Sequence, residues 1–341
     1  MVDDRVAVLG ATGFLGRVLV PALLATGRRV TMVARRRPSL IPTGANFVAC
    51  DAGDANALAD AVCDIAQIVN AVSGTPAIMV KTARNLCAIL GRRSPNETAI
   101  GLVHVSSLAV FGQTTGILAE PTIPLPARHH PYGIAKLLAE AILLSEPAIS
   151  AGCVVLRPGC IYGAGSAVWS DRIGRLLLAK RLGWLGGEGR GRCTIVHVAD
   201  VAKAIIVALD MGRDIAGMRH LLGPEELSWN DFFSRYGVQL GMPTLSHIGR
   251  AQLMAESLVA APMAKLLASR GRRNPDIITP SMRRLFRSRA VPVSCGAGLL
   301  SASNFRVLED GLAEAARSLF QRDSIAPRLD SADVPTWAAV A

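Results

Sequence analysis

Aromatic side chains make up only 4% of the 341 residues, with three tyrosines and four tryptophans. A surface that binds single-stranded nucleic acid by stacking bases needs more than that, and neither a zinc-finger spacing nor an RNA-binding signature is present. Charged residues are few as well, at 18%, and Asp and Glu number 26 against 37 Lys and Arg, a formal net charge of +11. With nucleic acid set aside, a phosphate-bearing small molecule is the economical partner for that excess. Long apolar runs are missing too. Mean hydropathy is high, +0.35, yet Arg, Lys, Asp or Pro breaks every run before the roughly 20 residues of a spanning helix. No integral membrane span is expected. The seven cysteines (Cys50, Cys63, Cys87, Cys153, Cys160, Cys193 and Cys295) form no Cys-x-x-Cys pair. Scattered thiols in apolar elements fit a reducing, cytoplasmic setting and predict neither a disulfide framework nor a metal site. The opening Met1-Val-Asp-Asp-Arg5 is acidic and runs straight into a strand, so no signal peptide is expected.

What the chain does have is half its residues apolar, arranged in short strands and helices. Arg5-Val-Ala-Val-Leu9 reads as a buried parallel strand. The turn Gly10-Ala-Thr-Gly13-Phe-Leu-Gly16 follows it, and then a helix with Pro21 inside it. Strand, glycine turn and helix in that order are the context in which the glycines carry chemistry. Gly10 permits the tight turn, Gly13 lets backbone approach a pyrophosphate, Gly16 allows helix to pack on strand, and the helix N-terminus faces the anion. A second strand over 29–33 ends in Ala34-Arg35-Arg36-Arg37, where an NAD enzyme usually carries an acidic residue for the ribose 2′-hydroxyl. Guanidinium groups there suit a 2′-phosphate. They predict NADP as cofactor, with NAD as the alternative; the competing reading is a solvated basic loop. A third strand over 47–50 leads to Asp51-Ala-Gly-Asp54, a helix over 56–66 and a strand over 67–72 ending in Ser73-Gly-Thr-Pro76. This alternation predicts a doubly wound parallel sheet with ligand loops on one rim.

The strand Leu102-Val-His-Val-Ser-Ser107 ends in two hydroxyls, and Tyr132-Gly-Ile-Ala-Lys136 opens a helix running to Leu144. Tyr132 and Lys136 are one turn apart on a common face. An ammonium beside a phenol stabilises the phenolate, bringing a pKa that starts near about 10 toward neutrality. Tyr132 then becomes a workable proton donor or acceptor.

At this point the chain resembles the extended short-chain dehydrogenase/reductases, over roughly residues 5–235. The resemblance rests on the glycine turn 10–16, the acidic turn 51–54, the stretch 105–112, the Tyr132/Lys136 pair, Leu156-Arg-Pro-Gly-Cys-Ile-Tyr-Gly163 and Ile195-Val-His-Val-Ala-Asp-Val201. It implies that Ser107, rather than Ser106, is the catalytic serine, that Tyr132 is the acid/base, and that Lys136 also binds the nicotinamide ribose. It further implies cofactor contacts from Gly10, Thr12, Gly13, Phe14, Leu15, Gly16, Asp51, Ala52, Ala71 and Pro158, with Arg35 and Arg36 at the 2′-phosphate. Arg157 serves either the turn beside Pro158 or a structural ion pair. Sugar-nucleotide members carry an arginine shortly before the His-Val-x-Asp-Val segment; Cys193 stands there, flanked by Arg190 and Arg192. Asn85 matches a structural position in the fourth helix.

The expected fold is α/β: a Rossmann-type doubly wound parallel sheet over 1–165, completed by 195–225, with a smaller, mainly helical C-terminal substrate-binding domain over 166–194 and 226–322. A tail occupies 323–341. Ser73, Trp169 and Arg192 are candidate substrate residues, and Ser228 with Asp231 a helix cap. The apolar stretch 251–268 and the arginines of 270–289 are read as a lid, a peripheral membrane or partner surface, or a plain helical subdomain. The expected activity is hydride transfer between nicotinamide and a carbonyl or secondary alcohol of a small molecule, as in a ketoreductase. A sugar-nucleotide epimerase or dehydratase with retained NAD is the alternative, and a non-catalytic dinucleotide-binding regulator a further one. A homodimer is left open.

Overall fold

The computed structural model describes residues 4–92, 101–112, 114–126, 130–260, 276–293 and 299–323. Two compact units divide the chain: one of Met1–Gly159, Val198–Leu222 and Pro292–Phe305, the other of Cys160–His197, Gly223–Val291 and Arg306–Ala341. The stretch Pro292–Phe305 belongs with the first unit.

In chain order, the first unit opens with β1 (Arg5–Leu9), α1 (Phe14–Ala25), β2 (Arg29–Ala34), β3 (Ala45–Ala49), α2 (Ala55–Val62) and β4 (Gln67–Asn70). It continues through α3 (Pro76–Leu90), β5 (Gly101–Val105), β6 (Gly116–Leu118), α4 (Pro131–Leu144), α5 (Pro147–Ser150) and β7 (Cys153–Pro158). The second unit then contributes β8 (Cys160–Tyr162), α6 (Arg172–Leu178) and β9 (Ile195–His197). The chain returns to the first unit with α7 (Val198–Met211) and β10 (Gly217–Leu221). The second unit follows with α8 (Trp229–Gln239), α9 (Arg250–Ala255) and α10 (Pro280–Phe286), then β11 (Ala290–Pro292) at the unit boundary and α11 (Leu308–Asp323).

Seven strands form one sheet in the order β10-β7-β5-β4-β1-β2-β3, and every pair in it is parallel. The central strands need apolar residues on both faces because helices cover both sides. Val6, Ala7, Val8 and Leu9 of β1 and Val155 and Leu156 of β7 are accordingly at zero exposure. The strand expected over 67–72 stops at Asn70, whose Oδ1 accepts the Val72 N–H at 3.2 Å and turns the chain out of the sheet. The helix expected over 56–66 ends at Val62. Asp54 starts it by accepting the N–H groups of Asn56 and Ala57.

The few aromatic rings concentrate in the second unit. Trp229 packs against Trp169, Phe232, Phe233 and Phe286 with ring centroids 5.0–5.9 Å apart. Ser228 and Asp231 form a reciprocal capping box at the start of α8. Arginines tie the helices together: Arg175 to Asp323, Arg181 to Glu256 and Arg322 to Asp171. Arg250, Arg283 and Arg287 all lie within salt-bridge range of Glu188, so part of the basic 270–289 segment is turned onto a carboxylate. The apolar stretch beyond 260, together with Arg270, Arg272, Arg273, Cys295 and the expected tail after Asp323, lies outside the described residues, whereas Asp323 closes the last helix. Among the described residues, no helix is long and apolar enough to cross a membrane.

Candidate active site

Gly10 sits at φ +81°, and a Cβ there would lie 2.8 Å from the Ala71 carbonyl oxygen. Gly16 is tighter: its Cβ would lie 2.5 Å from the Ala11 carbonyl oxygen. Both positions are closed to larger residues by neighbouring backbone, which holds α1 directly against the end of β1. Gly13 is exposed and caps α1 without a side chain, and the first turn contains no acidic residue. The amide groups that begin this helix therefore face outward in a positive end field. A dinucleotide pyrophosphate fits this cradle. Leu15 and Gly16 are buried, Thr12 and Phe14 half-buried.

Along the same rim, Arg35 and Arg36 are exposed immediately after β2, while Arg37 stacks over the Phe47 ring at 5.7 Å. Asp51 is exposed and accepts the Gly53 N–H at 2.9 Å, shaping the turn after β3; Ala52 beside it is buried. Asn85 donates to the Ala52 carbonyl at 3.0 Å, which gives it the structural place expected. Ala71 and exposed Ser73 follow β4, and buried Pro158 ends β7.

The side chains expected to be reactive lie at the end of β5 and the start of α4. Ser107 accepts the Ala109 N–H at 3.2 Å and caps a short turn of helix over Leu108–Phe111. Tyr132 is half-buried, its ring 6.0 Å from that of His130. Lys136 lies 5.9 Å from the Tyr132 ring centroid and donates to the carbonyls of Val105 at 2.7 Å and Val72 at 3.4 Å. Only 3% of Lys136 is exposed, and burial pushes its pKa down from 10.5 to about 8, against an upward pull from Glu140. His104 on β5 is driven to about 3 by burial and then by the charge of Lys136, so it stays neutral. Its Nδ1 meets the Asn70 amide at 3.1 Å.

Ser106 has a different role from Ser107. It is buried and its hydroxyl donates to Glu140. Arg157 grips the same carboxylate through Nε at 3.0 Å and Nη2 at 2.6 Å, and lies over the Phe111 ring. This decides the two readings of Arg157 for the ion pair. Glu140 is the residue that sequence reasoning missed; its signal is a charged side chain at core spacing on an otherwise apolar helix. In the second unit, Trp169 packs on Trp229 and Arg192 pairs with Glu226 at 2.8 Å.

A wholly parallel sheet in this order, a glycine turn opening a helix, and a Tyr/Lys helix beside a serine-bearing strand end define a dinucleotide-binding protein of the short-chain dehydrogenase/reductase type. The chain belongs to the NAD dependent epimerase/dehydratase family, whose model matches residues 6–221. It is 37% identical over 176 residues to a dTDP-6-deoxy-L-talose 4-dehydrogenase (NAD(P)(+)) of Kitasatospora kifunensis, covering 47% of this chain and 54% of that enzyme. It is 27% identical over 218 residues to 4-hydroxy-2-methyl-3-oxo-4-farnesyl-3,4-dihydroquinoline-1-oxide ketoreductase of Stigmatella aurantiaca, 61% of this chain and 65% of that one. The chain thus matches less than two thirds of either relative's length. A solved UDP-glucuronic acid 4-epimerase from Bacillus cereus in complex with NAD shares the fold, with TM-score 0.69 at 17% identity over 93% of this chain and 99% of the other.

Proposed function

We propose that this protein is an NADP-preferring oxidoreductase that interconverts a carbonyl and a secondary alcohol on a small molecule. The reading is carried by the buried Lys136 beneath Tyr132, next to the strand end that bears Ser107. When bound, the nicotinamide supplies or accepts the hydride. In the reductive direction, Ser107 donates a hydrogen bond that orients the carbonyl oxygen, and Tyr132 delivers a proton to that oxygen. The Lys136 ammonium stabilises the phenolate left behind, which solvent reprotonates. With its pKa near 8, Lys136 is charged at neutral pH and able to do so. Arg35 and Arg36, exposed after β2, support the 2′-phosphate preference, and the ketoreductase and dehydrogenase relatives support the reaction class.

The likeness to an epimerase in complex with NAD favours a second reading, a sugar-nucleotide epimerase or dehydratase that retains its cofactor. Denaturing the purified protein separates the two: release of stoichiometric NAD supports the second, and consumption of added NADPH with a ketone supports the first. Tyr132→Phe tests the shared chemistry. Turnover is expected to fall by at least roughly a hundredfold, and undiminished turnover would overturn the assignment.

A further inference from the structure

Resting on the roles proposed for Ser107, Tyr132 and Lys136, we propose that Glu140 is a positioning residue that fixes the end of β5 onto α4 and provides the buried counter-charge of Lys136. The geometry has two parts. Glu140 lies one helical turn after Lys136, and both are nearly sequestered, at 2% and 3% exposure. Two consecutive residues of the strand end are each tied to this helix: the Val105 carbonyl accepts from Lys136, and the Ser106 hydroxyl donates to Glu140. Ser107 follows directly and keeps its oxygen on the Ala109 amide, outside that pair of ties. The strand end cannot slide or rotate against α4 without breaking both. Ser106 therefore anchors while Ser107 faces the chemistry.

The electrostatic part follows from what surrounds Lys136. On its own helix are Glu140 and the Tyr132 phenol; β5 brings His104, held neutral by burial, and β7 brings Arg157, bound in two places by Glu140. Glu140 is thus the anion that favours the ammonium, and Arg157 holds that carboxylate in place through Nε at 3.0 Å and Nη2 at 2.6 Å. Arg157 and Ser106 act through Glu140, and Glu140 acts through Lys136.

The test reads Lys136 directly and needs neither substrate nor cofactor, so it is independent of the oxidoreductase assignment. The chain has five lysines, Lys81, Lys136, Lys180, Lys203 and Lys265. Isotope-labelled lysine in the full chain gives a resonance for each, and the one absent from Lys136→Met is assigned. Glu140→Gln alone strands Arg157 without a counter-ion. The paired replacement Glu140→Met with Arg157→Met is therefore the main variant, since an apolar exchange of a buried ion pair is commonly tolerated. In the folded double variant the midpoint of Lys136 is expected to fall by about one pH unit or more. Glu140→Asp, which keeps the charge, is expected to hold the midpoint near that of the parent protein. An unchanged midpoint in the folded double variant, or an equal fall in Glu140→Asp, would overturn the proposal. If the double variant does not fold, the comparison of Glu140→Asp with Glu140→Gln decides it on the same readout.

Discussion

Replacing Lys136 by methionine is expected to stabilise the protein at neutral pH and destabilise it in alkali, and the crossing of the two pH curves follows from burial. Lowering the lysine pKa from 10.5 to about 8 costs the folded state about 3 kcal/mol, at roughly 1.4 kcal/mol per pH unit. Below about 8 the ammonium is present in both states and the penalty is complete. Between about 8 and 10.5 the unfolded chain holds a proton that the native state has released, so stability rises with pH. Above 10.5 both states are neutral and the penalty is gone. Methionine removes this term and strands the Val105 carbonyl, which accepts from Lys136 at 2.7 Å, at a cost of about 1–2 kcal/mol. The variant should therefore be about 1–2 kcal/mol more stable at pH 7 and less stable by a similar amount in strong alkali. Urea unfolding of both proteins across that range measures it, following the transition of the first unit. Parallel stability curves would refute the reasoning, because they would mean that Lys136 titrates as an exposed lysine does.

The two serines separate in the same kind of experiment: Ser107→Ala should lower turnover by at least about tenfold and cost about 0.5–1 kcal/mol for the lost cap on the Ala109 amide, whereas Ser106→Ala should leave Glu140 short of a donor and cost about 1–3 kcal/mol. Among the glycines, Gly16→Ala, with its Cβ 2.5 Å from the Ala11 carbonyl oxygen, should lower stability by about 1–3 kcal/mol or more in thermal unfolding. Gly13→Ala, whose Cβ meets the Gly10 carbonyl oxygen at 3.1 Å, should leave stability within about 1 kcal/mol yet weaken dinucleotide binding by calorimetry. Replacing Arg35 and Arg36 together by Ala should reduce NADPH affinity by at least about tenfold and leave NADH affinity within a few-fold; equal losses for both would assign the pair to a solvated loop.

Much of the fold was legible in the sequence because local signals agreed with each other. A short apolar run, a glycine turn and an amphipathic helix, repeated, leave a parallel sheet as the arrangement that buries both faces of each strand. The Tyr132/Lys136 pair was readable for a similar reason, since a helix places residues four apart on one face. The second unit's ion pairs had no such local cue, and Glu140 had only a charge at core spacing on an apolar helix. Glu140 stands in Leu-Leu-Ala-Glu, and its partners Ser106 and Arg157, which give the charge its purpose, lie 34 and 17 residues away. Arg181 finds Glu256 and Arg322 finds Asp171 across 75 and 151 residues. Those arginines therefore look like a loose basic surface until tertiary structure supplies the carboxylates.

The site also explains why a buried lysine is tolerated at a cost of that size. A fully exposed lysine would keep its pKa near 10.4, and its charge would be screened from the phenol by water. Burying it beside Tyr132 removes that screening, so each ångström of approach counts for more. Burial alone would also neutralise the amine and abolish the effect it strengthens. Glu140 opposes that by favouring the ammonium without exposing it, and Arg157 holds the Glu140 carboxylate at 2.6 Å. The instability and the chemistry thus have one origin. A substitution that relieves the burial penalty, as Lys136→Met does, must also remove the ammonium that the proposed mechanism needs beside the phenol.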